Sequence, residues 1–190
     1  MPHTQTAELN KIPLGSGNVY VVEWDGLTVP DDATLEVETN MVGRTKNGAT
    51  LTYTPEYYTA KSDDGKAKKT VIVGEEATFE YGNITWNAIT LKTLSSTARV
   101  TEDGTKRTAK IGGVDNFNGK KYLLRFVHKD PVDGDIRITV VGMNTNGWNI
   151  AFAPGSETVL QPTFNCEPLD SDGTLIIYEE EIIEALVDKE

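Results

Sequence analysis

Apolar and polar residues alternate with a period of two along most of this chain, which is the pattern of antiparallel β-strands. The alternation is clearest between residues 121 and 178, where each predicted strand carries its apolar side chains on one face. These side chains are Tyr122, Leu124 and Phe126; Ile136, Ile138 and Val140; Trp148, Ile150 and Phe152; and the run 175–178. Stretches rich in Gly, Pro, Asn and Asp separate these runs and predict tight hairpin connections. This region is therefore predicted to be an antiparallel sheet.

The N-terminal half predicts a strand over 18–24 and a hairpin whose strands are 34–42 and 49–58. Asn47 and Gly48 stand between these two strands, and this dipeptide is typical of a hairpin turn. The polar face of the hairpin is predicted to carry Glu36 and Glu38 on the first strand and Thr50, Thr52 and Thr54 on the second. Acids at alternate positions of a strand indicate a solvent-facing surface rather than a catalytic pair.

A charged segment over 59–69 predicts a long, flexible hairpin tip, which Lys66, Lys68 and Lys69 make basic. Further strands are predicted over 70–73 and 77–81, and a hairpin over 99–111. The internal helix candidate is 87–98, because Asn87 can cap its N-terminus and apolar residues follow at helical spacing.

The last residues, 179–190, predict a short acidic helix with four apolar side chains on one side. They are Ile182, Ile183, Leu186 and Val187. Isolated helices of fewer than about 12 residues are marginal in water. This arm is therefore expected to dock on its own subunit or on a neighbouring one.

Together these elements predict a mainly β protein, an antiparallel β-sandwich or barrel flanked by one α-helix. The β domain is predicted to span 18–178, with an N-terminal arm over 1–17 and an acidic C-terminal arm over 179–190. The length of 190 residues fits one domain with arms.

Charge is distributed unevenly along the chain. The net charge is −11, which argues against binding nucleic acid by neutralising phosphates. Residues 1–40 carry a net −6, residues 41–166 a net +3 and residues 167–190 a net −8. One reading is that acidic ends improve solubility. The other is that the ends of one copy contact the basic middle of another.

No constellation in the sequence indicates catalysis, a cofactor or a metal, so the chain is not expected to be an enzyme. His3 and His128 have no partner at ligand spacing, and Cys166 lies in an apolar run. Asp130, Asp133 and Asp135 fit a turn better than a cation site. No apolar run approaches the roughly 20 residues of a membrane helix, and the N-terminus lacks the pattern of a secretory signal.

Four segments of the C-terminal third carry a resemblance to a known family. They are KKYLLRF at 120–126 after a glycine turn, GDIRITVVGMNTNGW at 134–148, FAPGS at 152–156 and CEPLDSDGTLIIY at 166–178. In sequence and spacing these segments resemble the major tail tube proteins of long-tailed, siphovirus-like bacteriophages. Over the rest of the chain the resemblance is one of layout.

The resemblance implies a β-sandwich with one helix, whose copies form hexameric rings that stack into a hollow tail tube for DNA delivery. It implies that Glu36, Glu38, Thr50, Thr52 and Thr54 line the lumen, and that the lysines of the tip and the C-terminal arm contact neighbouring copies. The implied partners are further copies, the tape-measure protein and passing DNA without specific binding, and tail-tip and tail-terminator proteins. The implied location is the virion tail, assembled in the host cytoplasm, with no membrane contact.

Two alternatives remain open at this stage. One is a carbohydrate-binding or capsid-decoration β-sandwich module, for which Trp86 and Trp148 are the stacking candidates. The other is the inner tube protein of a contractile injection system, which shares the fold of the tail tube.

Overall fold

The computed structural model describes residues 12–183, which form nine β-strands and two short α-helices. Residues 12–17 are irregular, and the rest of the predicted N-terminal arm lies outside the described residues. The strands are β1 (Asn18–Glu23), β2 (Thr45–Lys61), β3 (Lys68–Asn83), β4 (Arg99–Asp103), β5 (Lys106–Lys110), β6 (Tyr122–His128), β7 (Ile136–Asn144), β8 (Thr163–Glu167) and β9 (Ile177–Glu180). The helices are α1 (Asp32–Leu35) and α2 (Ala88–Thr93), and single 3₁₀ turns occupy Glu38–Asn40 and Val114–Asn116.

Seven of the strands form one antiparallel sheet in the order β1-β6-β7-β8-β3-β2, with β9 also paired to β7. One edge of β7 pairs with two strands, with β9 along its first half and with β8 along its second half. The register places Val19 opposite Phe126 and Leu124 opposite Val140. The remaining two strands, β4 and β5, form a separate hairpin at the predicted position.

The sheet curls until its two ends meet, which gives it the character of a barrel. The N–H of Val42 donates to the carbonyl of Val19 at 3.1 Å, and the hydroxyl of Thr45 donates to the carbonyl of Gly17 at 2.6 Å. Across the interior, the rings of Phe79 and Phe126 lie 6.4 Å apart. The predicted fold class, mainly antiparallel β with one flanking helix, is confirmed.

Apolar side chains fill the interior and also cover part of the outside. The interior cluster contains Val19, Phe79, Tyr81, Leu94, Leu124, Val140, Leu160 and Phe164. A second cluster lies outside, where Leu35 and Leu169 cover Leu123 and Val141. Leu123 and Leu124 are adjacent and both fully buried, because successive strand residues point to opposite faces and both faces of β6 are covered.

The predicted helix is confirmed by α2, although it is shorter than 87–98. The Asn87 carboxamide oxygen accepts from the N–H groups of Ile89 and Thr90, and the Thr90 hydroxyl accepts from the Asn87 N–H. This reciprocal pair is a capping box. The chain leaves the helix after Thr93, so that Leu94 can enter the interior cluster.

The predicted strand over 34–42 is wrong. Asp31 caps α1 by accepting from the N–H of Thr34 at 2.8 Å, and Leu35 then packs on the outer face of the sheet. The predicted turn at Asn47 and Gly48 is also wrong. Both residues lie inside β2 with φ of 67° and 72°, where they form a bulge.

Two further predictions need correction. The strands predicted over 70–73 and 77–81 are one strand, β3, with a bulge opposite Glu56 and Tyr57. The strand predicted around Trp148, Ile150 and Phe152 is part of an irregular segment over 145–162. Side-chain contacts fix this segment where strand pairing is missing. One of them is made by Trp148, whose indole N–H donates to the Ser95 hydroxyl at 2.7 Å.

Candidate assembly surfaces

The β2–β3 hairpin extends well beyond the sheet as a two-stranded projection over residues 54–75, which we name the β-arm. Within the described residues, the strands of the β-arm pair only with each other, since β3 pairs with β8 only through residues 78–80. The predicted hairpin tip over 59–69 forms the end of this projection. An isolated two-stranded hairpin is only marginally stable in water. The side chains on the two faces of the β-arm therefore show what contact could stabilise it.

Five large apolar side chains of the β-arm are exposed. They are Tyr57, Tyr58, Val71, Ile72 and Val73. Tyr57 lies opposite Ile72, and Tyr58 lies opposite Val71. Because successive residues alternate between faces, each face of the β-arm carries one tyrosine–aliphatic pair. Clustered apolar side chains on a soluble protein are typical of an interaction site.

The end of the β-arm is a compact turn over 62–67. Asp64 accepts from the Ser62 hydroxyl at 2.5 Å and from the N–H of Lys66 at 3.0 Å. The first of these hydrogen bonds is the main cause of a lowered pKa of the Asp64 carboxyl. Lys66, Lys68 and Lys69 are exposed here, as the candidate contact residues of a basic tip.

We name the part of the β2–β3 hairpin that adjoins the rest of the sheet the proximal hairpin, and one of its faces is polar and acidic. This face carries the lumen candidates Thr50, Thr52 and Thr54, all exposed, on β2. They pair with Glu80, Thr78 and Glu76 of β3, and these residues share their face. The alternation in ATFEY at 77–81 is the signal that places Glu80 on this surface, and Glu76 continues it. The acids of the hairpin therefore come from β3 and not from the strand predicted over 34–42.

Glu36 and Glu38 are not on this face, because the strand predicted for them does not form. Glu38 begins a 3₁₀ turn. Glu36 follows α1, and its side chain is only 11% exposed between two arginines. The structure therefore removes the reason for placing these two carboxylates beside the three threonines.

Arg125 and Arg137 form the centre of a cluster of charged side chains on the outer face of the sheet. The Glu36 carboxylate accepts from Arg137 Nε at 2.7 Å and lies 3.5 Å from Arg125 Nη1. Asp32 accepts from Arg125 Nη1 at 2.6 Å. Further carboxylates come from Asp135, Glu179 and Glu181, and Lys129 donates to Asp135 at 2.8 Å. These contacts connect α1, β6, β7 and β9.

Burial makes this ion cluster important for the fold. Arg125 is 3% exposed, whereas Asp32, Glu179 and Glu181 are each about half exposed. The hydrogen bond to Glu36 is the main cause of a raised pKa of Arg137, and the hydrogen bond from Lys129 is the main cause of a lowered pKa of Asp135. Glu36 reaches Arg137 because α1 packs on the outer face of the sheet, and no local pattern in the sequence predicts this contact.

The predicted C-terminal arm spans 179–190, but Glu179 and Glu180 belong to β9 and pair with β7, so the arm starts after Glu180. Ile182 is 80% exposed and Ile183 is also exposed, and residues 181–183 are not helical. The other two arm candidates, Leu186 and Val187, lie outside the described residues. The ion cluster fixes where the arm starts, because Glu179 contacts Arg125 and Glu181 contacts Arg137.

Asp130 and His128 make contacts that belong to the fold, and Cys166 is partly buried. Asp130 accepts from the N–H groups of Val132 and Asp133 at 2.9 and 3.0 Å, which is a turn interaction. The His128 ring nitrogen Nδ1 lies 2.9 Å from the carbonyl of Ser16. Burial raises the pKa of the Cys166 thiol to about 11. Within residues 12–183, no three His, Cys, Asp or Glu side chains are grouped so as to hold a metal ion.

No helix between residues 12 and 183 is long and apolar enough to cross a membrane.

Comparison with known proteins gives little. No family model and no curated protein matches the chain. Among solved structures, the chain is similar to a chain of the "Virion of native gene transfer agent (GTA) particle". That similarity has a TM-score of 0.39 and 8% sequence identity, and it covers 85% of this chain and 95% of that chain. A likeness at this level does not by itself indicate a shared function.

Proposed function

We propose that this chain is a structural protein of a phage tail, whose copies form hexameric rings that stack into a hollow tube for DNA delivery. The observation that supports this most is the β-arm, which presents exposed tyrosine and aliphatic side chains far from the sheet. The sequence resemblance described above supplies the type of assembly. The remaining proposed partners are the tape-measure, tail-tip and tail-terminator proteins, and the proposed location is the virion tail.

The two-faced character of the β-arm favours insertion between neighbouring copies over docking on a flat surface. A hairpin that lies on one surface needs apolar residues on one face only. Here Tyr57 and Ile72 lie on one face, and Tyr58 and Val71 lie on the other. Fully burying one such side chain contributes about 1.5–3 kcal/mol, before the cost of association is subtracted. Burial of both faces in every copy would therefore contribute favourably to each contact between neighbouring copies.

The polar face of the proximal hairpin is the proposed lumen surface. Thr50, Thr52 and Thr54 are neutral, and Glu76 and Glu80 beside them are acidic. A tube lined in this way repels DNA phosphates, so that DNA passes without specific binding. The role first assigned to Glu36 and Glu38 therefore passes to Glu76 and Glu80.

The test is negative-stain electron microscopy of the purified chain at high concentration, with sedimentation velocity on the same samples. We expect rings or hollow tubes from the unmodified chain. The variant Tyr57→Ser/Ile72→Ser should remain dispersed with an unchanged circular dichroism spectrum. The matched control is Val114→Ser, which removes an exposed apolar side chain outside the β-arm and should assemble normally.

Two results would contradict the proposal. One is a monomer at every concentration and salt level. The other is assembly of the double variant as readily as the unmodified chain, which would show that the β-arm is not the contact.

A further inference from the structure

A groove of about 470 Å³ lies between the bulge of β2 and the irregular segment 145–162. We name it the amide groove, because four side-chain carboxamides line it together with one indole. These residues are Asn47, Asn146, Asn149, Gln161 and Trp148. The groove is separate from the β-arm, the polar face and the ion cluster.

Several carboxamides outside the groove are used within the fold. Asn83, Asn87 and Asn144 each use their amide in a hydrogen bond that shapes the backbone. None of the four carboxamides of the amide groove makes a side-chain hydrogen bond to any residue between 12 and 183. All four are exposed, and each offers two donors and an acceptor to the same space.

The walls of the groove are fixed by contacts that leave these amides free. The indole N–H of Trp148 donates to Ser95, so the ring is held in place. Asn144 donates to the carbonyl of Gly147 at 2.9 Å, which closes the turn that carries Asn146. The indole N–H of Trp86 donates to the carbonyl of Thr158 at 3.3 Å on the opposite wall. A site fixed before binding loses less entropy when a ligand binds.

The ionic groups of the groove indicate an uncharged ligand. Glu157 lines the groove, and its carboxylate forms an ion pair with Lys46 of the adjacent β2 strand. The remaining lining groups are amides, hydroxyls, one indole and small apolar side chains. A charged ligand would therefore have to compete with this internal ion pair.

We propose that the amide groove binds a neutral sugar residue. Planar carboxamides can donate to and accept from neighbouring hydroxyl groups at the same time. An indole offers a flat apolar surface on which the C–H face of a pyranose ring can pack. Small-molecule sites are concave and combine aromatic surface with a small number of precisely placed polar groups. This groove has both features but is lined mostly by polar residues. Such a site would let an assembled particle attach weakly to glycans, independently of tube formation.

Saturation-transfer-difference NMR tests this on the full chain, because it works for dispersed and assembled protein alike. The probes are glucose, galactose, mannose, rhamnose and N-acetylglucosamine at millimolar concentration, with glucuronic acid and glucosamine as charged comparators. We expect saturation of the aromatic protons to reach the ring C–H protons of at least one neutral sugar. The two charged comparators should show a weaker effect.

Variants locate the binding. Asn146→Ala/Asn149→Ala should weaken binding of that sugar about tenfold, because it removes two hydrogen-bonding groups. Gln161→Ala, on the other side of the groove, gives an independent check that does not alter the same turn. The matched control is Asn165→Ala, which removes an exposed carboxamide from β8 outside the groove and should bind as the unmodified chain does.

Three results would overturn the proposal. The first is the absence of saturation transfer to every neutral sugar. The second is equal binding by the groove variants and the control variant, which would mark contact elsewhere on the surface. The third is a stronger effect with the charged comparators.

Discussion

Replacing Arg125 with methionine should destabilise the folded subunit by about 3 kcal/mol, because it removes one partner of a buried ion pair. Arg125 is 3% exposed, and it contacts Asp32, Glu36 and Glu179. Asp32 and Glu179 are about half exposed and can turn to water when the arginine is lost. Glu36 is 11% exposed and keeps Arg137 as a partner, so its buried charge is compensated by one arginine in place of two. Methionine fills most of the vacated volume, which keeps the cavity contribution small.

A second substitution separates this charge effect from simple loss of packing. In the double variant Arg125→Met/Glu36→Gln, no buried carboxylate is left short of a partner. Its destabilisation should therefore be smaller than the sum of the two single effects, by about 1–3 kcal/mol. The matched control is Arg107→Met, which breaks the exposed ion pair with Glu102 and should change stability by less than about 0.5 kcal/mol.

The assay is urea unfolding of dispersed subunits, followed by tryptophan fluorescence and fitted for midpoint and slope. The reasoning is refuted if Arg125→Met unfolds at the same midpoint as Arg107→Met. It is also refuted if the effects of Arg125→Met and Glu36→Gln simply add, since the cluster would then not act as a unit.

Three further outcomes are expected. Phe79→Ala should lower the free energy of unfolding in urea by about 3–5 kcal/mol, because the ring is buried. Tyr57→Ala should lower it by less than about 0.5 kcal/mol in the dispersed subunit. Equal losses of stability would show that the β-arm is packed within the subunit. Asp135→Asn should be less stable than the unmodified chain at neutral pH. This difference in stability should disappear as the pH falls from the normal aspartate pKa of about 3.9 through the lowered native pKa, since the carboxylate bonded to Lys129 contributes only while it is ionised. A difference that does not depend on pH in paired urea titrations would contradict this. The thiol of Cys166, with its pKa raised to about 11, should react slowly with a disulfide reagent at pH 8 and quickly in urea, and a fast reaction in the native state would show that it is accessible.

Local patterns predicted those elements whose stability comes from their own alternation or caps. The strands containing Leu124 and Val140 form as expected because one face of each meets the interior cluster. The Asn87 cap correctly marks the start of α2. The strand predicted over 34–42 does not form, although its alternation is real. Leu35 packs instead on the outer face of the sheet, and the local sequence does not reveal this contact.

Long-range contacts account for most of what the sequence did not predict. Arg125 and Arg137 lie on neighbouring strands, yet their buried partner Glu36 is about ninety to a hundred residues away along the chain. Asn47 and Gly48 have the composition of a turn, but the pairing of β2 with β3 continues past them and makes them a bulge. The amide groove joins residues from this bulge and from 145–162, which the pairing of β3 with β8 and of Asn83 with Leu160 brings together.

The contrast between local pairing in the β-arm and distant pairing in the barrel has a consequence for synthesis. β2 and β3 are joined by a short turn, so their pairing is local. β1 pairs with β6 and β3 pairs with β8, which are far apart along the chain. Local hairpins close within microseconds, while pairing across long separations is slow. On the ribosome, Tyr57 and Ile72 are therefore presented before the barrel that carries them can exist. The lysines give the tip a net positive charge, and we expect this charge to oppose pairing between the arms of neighbouring nascent chains.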